Sequence, residues 1–328
     1  MMQPEVRRKY RSYFTLILAG MFGSLLLLGG PLEKAGRDLA APMVKRTVSE
    51  KASRERIGQF GGVFVVAFLA MTIYGAHIAA RFLSDKDVRK KDAYVREVRW
   101  SIPDSVMLTF LFLTLPFLIG LLMPGPPRAH SNEEEFTVGD VIASAVSCVV
   151  VLLLAIRIVN QKGGSFRGAM GLRIRPRGRL ASIGAAAFLG FWPFRLMYTT
   201  ALLALFQGLR LRVQDHPVVH ELSKPGATVL KLSLAFSVAV LAPIFEEIFF
   251  RGFLYQALRK RIGPWAGVFA TAGLFAVIHP SPFQTSLIFP LGLLLAYLVE
   301  KTGSLIPSIV LHFLTNGTTL AMLFLAGG

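Results

Sequence analysis

Apolar residues in this chain are gathered into long blocks, and the polar and charged positions fall mostly between them. A block of about 17 to 25 mostly apolar residues suits a helix crossing a bilayer, since about 20 residues rising 1.5 Å each cover its hydrocarbon. Such blocks lie at 12–30, 58–80, 103–124, 138–157, 180–207, 229–256, 265–279, 284–299 and 304–326. Backbone polar groups inside a bilayer must be satisfied within the chain, so the pattern predicts an all-α fold. The expected fold is a polytopic transmembrane helical bundle of about eight to nine spans, with an intramembrane polar cavity for the ionisable residues described below. In the block 180–207, Trp192, Pro193 and Arg195 interrupt the apolar run, which fits a kink, a cavity-facing arginine or two half-helices. The blocks at 265 and 284 are short, as suits helices packed round a site.

Composition narrows the class. With 53% hydrophobic and 17% charged residues in 328, the chain is not a soluble enzyme. A net charge of +17 in a soluble protein points to nucleic acid. Here the Lys and Arg residues sit between apolar blocks, where they set topology and meet anionic lipid, so membrane lipids are the expected partner and nucleic acid is not. The N-terminus carries Arg7, Arg8, Lys9 and Arg11, and 157–179 carries Arg157, Lys162, Arg167, Arg173, Arg175, Arg177 and Arg179 with no acidic residue. Both are expected in the cytoplasm, as is Arg259-Lys260-Arg261, with Glu133, Glu134 and Glu135 outside. Gly29, Gly30, Pro31 and Leu32 offer no small-x-small cleavage site, so the first block is read as an uncleaved span. The expected location is integral to a bacterial-type plasma membrane. Cys148 has no second cysteine to pair with and reads as a small apolar-block residue.

Ionisable residues inside apolar blocks are the chemical signal, because each costs at least ~2.5 kcal/mol to insert. Three clusters occur in the last hundred residues. Glu246-Glu247-x-x-x-Arg251 sits in the run Ala242 to Tyr255. On a helix Glu247 and Arg251 share a face and pair, and Glu246, about 100° away, lacks a local cation. Pro243, three residues before Glu246, suits a kink beside the carboxylate. His279 follows Phe275-Ala-Val-Ile and precedes Pro280, which places it at a helix C-terminus. His312 and Asn316 are four apart and present one hydrogen-bonding edge. Singly, these residues read as ion pairing, a cap and interhelical glue. Together, a carboxylate, two imidazoles and an amide are parts for activating water and holding an oxyanion at a carbonyl. They equally supply a zinc site of Glu246, His279 and His312 with an open water position. The H-E-x-x-H arrangement is absent. His77, His130, His216 and His220 read as interfacial or solvated.

The ordered set E-E-x-x-x-R, F-x-x-x-H and H-x-x-x-N, with the string Ala-Pro-Ile-Phe-Glu-Glu-Ile-Phe-Phe-Arg-Gly-Phe-Leu from Ala242, resembles the CAAX protease and bacteriocin-processing (CPBP, or Abi) family of intramembrane endopeptidases, which includes the type II CAAX prenyl protease. The resemblance covers roughly 229–325. It implies a helical bundle with a water-accessible cavity and peptide-bond hydrolysis near a membrane surface. It further implies that Glu246 and His279 activate the water, His312 and Asn316 hold the oxyanion, and Glu247 and Arg251 support them. The family picture favours metal-free glutamate catalysis, with zinc as the alternative. The expected substrate is a membrane-tethered peptide or protein, prenylated or not.

Residues 1–178 match no motif and read as an N-terminal transmembrane region of unassigned role; 179–328 reads as the protease-like core, with its motifs within 229–325. Two other functions stay open at this point: a non-catalytic immunity or scaffold protein that keeps the fold, and an ion-coupled transporter. The second lacks any sequence sign of an inverted repeat.

Overall fold

The computed structural model describes residues 99–122, 137–174, 176–213, 218, 221–222, 228–279 and 281–325. The expected spans at 12–30 and 58–80, the loops at 31–57 and 125–136, and His77, His130, His216 and His220 lie outside the described residues. Among the described residues the structure is helical, with no strand.

The helices are α1 (Ile102–Leu122), α2 (Val138–Gln161), a single turn α3 (Phe166–Ala169), α4 (Arg177–Gly208), α5 (Thr228–Ile262), α6 (Pro264–Val277), α7 (Pro282–Thr302) and α8 (Ile306–Leu325). Six of these are long and apolar enough to cross a membrane: α1, α2, α4, α5, α7 and α8. Local sequence sets their ends. Thr137 caps α2 through a reciprocal box with Asp140, each side chain accepting from the other's backbone N–H. Gly263, at φ 84°, and Pro264 break the chain between α5 and α6; Ser281 and Pro282 start α7, and Gly303, at φ 65°, ends it.

Two expectations change. The block at 180–207 is one unbroken helix of 32 residues with Pro193 buried inside it, not two half-helices. The block at 284–299 belongs to a full 21-residue helix. The apolar pattern stops early there because Glu300 is polar, yet Glu300 is satisfied by Tyr255 Oη and Arg259 Nε, each donating at 2.6 Å.

Contacts fix the helix directions. Asn316 reaches Val238, and Ser308 and His312 reach Glu247, so α8 runs antiparallel to α5. Gly184 meets Pro307 and Val310, and Arg195 reaches Thr319, so α4 runs parallel to α8. A Cβ at Gly184 would overlap the Pro307 carbonyl oxygen, and this missing side chain is what lets the two backbones approach. Trp100 Nε1 donates to the Phe253 carbonyl at 3.1 Å and Phe112 packs on Phe249, which sets α1 antiparallel to α5. The start of α1, the end of α2, the start of α4, the end of α5 and the end of α7 therefore share one end of the bundle. That end carries Arg99, Lys162, Arg167, Arg173, Arg177, Arg179, Arg259, Lys260, Arg261 and Lys301.

Helix α5 lies at the centre. Every residue from Glu247 to Leu254 is buried, the charged Glu247 and Arg251 among them. Phe249 and Phe253 face the cluster with Trp100, Leu108 and Val151, while Phe250 and Leu254 face Phe188, Trp192, Phe275 and Leu295. Burial on both sides holds the two glutamates at the level where α5 meets α8.

Candidate active site

Helix α5 changes register twice around its carboxylates. Residues Ser237–Leu241 and Glu247–Leu254 are π-helical, with Ala242–Glu246 an α-helical turn between them. Single π segments of this kind cluster at functional sites. Pro243 accounts for the first. In the π register the Ala242 N–H bonds the Ser237 carbonyl, so the next N–H, at residue 243, would bond Val238, and proline has none. The Val238 carbonyl instead receives Asn316 Nδ2 from α8 at 3.0 Å.

Glu247 is the buried anchor, with no exposed surface. Its Oε1 accepts from Arg251 Nη1 at 2.8 Å and from His312 Nδ1 at 3.0 Å, and its Oε2 accepts from the Ser308 hydroxyl. Arg251 also donates to the Gly292 carbonyl at 3.2 Å and lies against the Phe275 ring, 4.2 Å from its Cζ, while its buried Nε has no hydrogen-bond partner among the described residues. An ionised carboxylate only accepts, so His312 Nδ1 carries a proton and its Nε2 is turned the other way. That nitrogen stands 3.7 Å from Glu246 Oε2, beyond hydrogen-bond length and within reach of a shared water. Glu246 retains 19% exposure against 0% for Glu247, so of the two carboxylates Glu246 is the one with accessible surface. The cluster lies about 9 Å inside the start of α8, six residues from Ile306 to His312.

His279 sits two residues past the end of α6, as its proline neighbour requires. Its Nδ1 lies 2.9 Å from the Phe275 carbonyl, which makes Nδ1 the protonated nitrogen and leaves Nε2 as an acceptor. The Phe275 ring stands edge-on to both imidazoles, 5.3 Å from His279 and 5.9 Å from His312. His312, Glu247 and Arg251 all lie near enough to Glu246 for their charges to act on it. Among the described residues no group of three or more His, Cys, Asp or Glu side chains stands close enough together to hold a metal ion.

Two contributors were not foreseen. Ser308 lies one turn before His312, so the polar edge of α8 runs Ser308, His312, Asn316 at four-residue spacing, a signal present in the sequence. Phe275 was seen only as a motif aromatic, and its role as a spacer between two imidazoles and a guanidinium depends on the packing of α6 against α5 and α8.

Residues 228–318 match the family model described as type II CAAX prenyl endopeptidase Rce1-like. This stretch, which holds all six expected site residues, is thus similar to that family of endopeptidases. The chain is also 33% identical over 94 residues to an "Uncharacterized 24.3 kDa protein" of Escherichia coli, covering 27% of this chain and 42% of the relative. The chain thus spans about two-fifths of the length of that relative. No solved structure matches it. With its long apolar helices, the chain is an integral membrane protein.

Proposed function

We propose that this chain is an intramembrane endopeptidase that hydrolyses a peptide bond of a membrane-tethered protein or peptide, with water activated at Glu246. The observation that supports this most is the approach of a partly accessible carboxylate, Glu246, to an imidazole, His312, whose far side is held by the buried Glu247. A buried carboxylate behind a histidine fixes its tautomer and stabilises its imidazolium. One proton shared between Glu246 and His312 makes the quartet of Glu246, Glu247, Arg251 and His312 neutral, as a site at membrane depth requires.

With that proton on His312, Glu246 is a free base and His312 Nε2–H is a donor. Glu246 takes a proton from water as the water oxygen bonds the scissile carbonyl carbon. The charge that develops on the carbonyl oxygen is met by His312 and by the second N–H of Asn316. Glu246 then passes its proton to the amide nitrogen, the C–N bond breaks, and a carboxylic acid and an amine leave. The acceptor nitrogen of His279 orients the water. No metal is needed for these steps. The basic end of the bundle is assigned to the cytoplasm, which puts the cluster just below that face. The segment 1–178 is assigned to substrate entry or partner binding and 179–328 to the protease core.

The test is mass spectrometry of tethered peptides, lipid-modified and unmodified, after incubation with the purified protein and its His312→Ala variant. A new N-terminus formed by the protein and lost in the variant is expected. Peptide binding without cleavage would leave a scaffold or immunity protein instead.

A further inference from the structure

The turn joining α5 to α6 carries a group of side chains that takes no part in the cluster above. Helix α5 ends on Arg259, Lys260 and Arg261, Gly263 turns the chain at φ 84°, and α6 opens on Pro264 and Trp265. The Trp265 ring stacks on Tyr297 of α7, with centroids 6.0 Å apart and planes 25° from parallel. Lys301, one turn further along α7, lies over the same tyrosine, its Nζ 5.5 Å from the ring centroid. An ammonium held against a ring face keeps its three N–H donors for another acceptor.

The chain does not balance the charge at this end of the bundle. Among the described residues its carboxylates are Asp104 and Glu300. Asp104 pairs with Lys162, and Glu300 accepts from Arg259 and Tyr255. Arg261, which is exposed, and Lys301 pair with no carboxylate among the described residues. Further from the helix ends the same region turns apolar outward. Trp265 is 61% exposed, and Phe269, one turn deeper along α6, and Ile262 are exposed as well. Tryptophan and tyrosine concentrate where hydrocarbon gives way to headgroups, and unpaired cations at that level meet lipid phosphate.

We infer that Trp265 and Tyr297, with Lys301 and Arg261, form a binding site for the headgroup of an anionic phospholipid. The two cations take the phosphate diester, and the glycerol and upper acyl chain lie against Trp265 and Phe269. Charge complementarity selects the lipid. A zwitterionic headgroup brings a cation of its own, which Lys301 and Arg261 repel, whereas phosphatidylglycerol brings none. Diffuse attraction to an acidic leaflet would draw on every cation of the basic end; a site draws on these two. None of these residues belongs to the Glu246 cluster, so the site is independent of the peptidase reading.

The chain supplies its own reporter. Of its three tryptophans, Trp100 and Trp192 are 3% and 8% exposed against 61% for Trp265. The full chain is reconstituted in phosphatidylcholine vesicles holding a fixed fraction of either brominated phosphatidylglycerol or brominated phosphatidylcholine, and quenching of tryptophan fluorescence is read. Trp265→Phe identifies the component that Trp265 contributes. Phosphatidylglycerol is expected to bind beside Trp265 about 5- to 30-fold more tightly than phosphatidylcholine, the weight of one to two cations near a lipid surface. Lys301→Gln should remove most of that preference and Lys301→Arg should keep it, while Arg157→Gln, the same charge change on α2, should leave it intact. Equal quenching by the two lipids overturns the inference. So does a preference that falls as much with Arg157→Gln as with Lys301→Gln, the mark of diffuse attraction. Quenching of Trp265 by neither lipid means that protein, a second copy included, covers the patch, and overturns it too. Loss of the preference in inorganic phosphate, but not in chloride of the same ionic strength, assigns the cations to a free anion and likewise overturns it.

Discussion

Replacing Glu247 with glutamine separates what holds this bundle together from what its chemistry requires. Glutamine keeps the size of the side chain and removes its charge. Glu247 accepts from Arg251, Ser308 and His312 with no exposed surface. An amide turns an NH2 toward at least one of these donors, and Arg251 loses its hydrogen-bonded counter-ion, keeping the Gly292 carbonyl, the Phe275 ring and the more distant Glu246. Removing one partner of a buried pair costs about 3–5 kcal/mol, so Glu247→Gln should lower the thermal unfolding temperature in detergent, read by tryptophan fluorescence. Adding Arg251→Met removes the orphaned charge, and replacing both members of a buried pair with uncharged groups is often near neutral. The double variant should therefore recover most of the lost stability. Activity should not recover. His312 Nδ1 has lost its charged acceptor, a bond of about 1.5–3 kcal/mol, so kcat on a tethered peptide should stay about 10- to 150-fold down. A double variant that is both stable and fully active would refute the claim that Glu247 works by holding His312. A Glu247→Gln protein as stable as the parent would refute the burial argument.

Further consequences concern the neighbours. Asn316→Ala leaves the Val238 carbonyl unpaired and should cost about 1–3 kcal/mol. If Asn316 stands in for the N–H missing at Pro243, much of that loss should vanish in a Pro243→Ala background, and a thermal-melt double-mutant cycle showing strict additivity would count against it. Ser308→Ala removes one donor from a buried carboxylate and should destabilise by about 1–3 kcal/mol while leaving His312 on Glu247; a loss of activity with no loss of stability would point to a catalytic serine instead. Gly184→Val should separate α4 from α8, because even a Cβ overlaps the Pro307 carbonyl. Unchanged melting and unchanged activity would show that the close approach is not needed.

Much of this was legible because a bilayer makes polar residues conspicuous. The Glu247–Arg251 pair follows from four-residue spacing, and His279 beyond a helix end follows from Pro280. The partners of each group were less legible, since they come from helices far apart in sequence. Glu246 meets His312, 66 positions away, and nothing in a local motif says which histidine faces it. Asn316 illustrates the same limit: its edge with His312 was readable, whereas its bond to Val238 depends on a π register created by a proline on another helix. Glu300 cut short the expected span at 299 because hydropathy counts a carboxylate as polar whether or not Tyr255 and Arg259 satisfy it. Arg195 broke an apolar run in the sequence, and only the packing of α4 along α8 aims it at the edge that carries His312 and Asn316.

The measurement that bears most directly on the central claim is cleavage of a membrane-tethered peptide by the purified protein, run beside Glu246→Ala and beside the parent protein with a strong zinc chelator. Loss of cleavage in the variant with full activity under chelator is the predicted result. Cleavage undiminished in the variant, or abolished by the chelator, would contradict a glutamate-activated, metal-free water at this site.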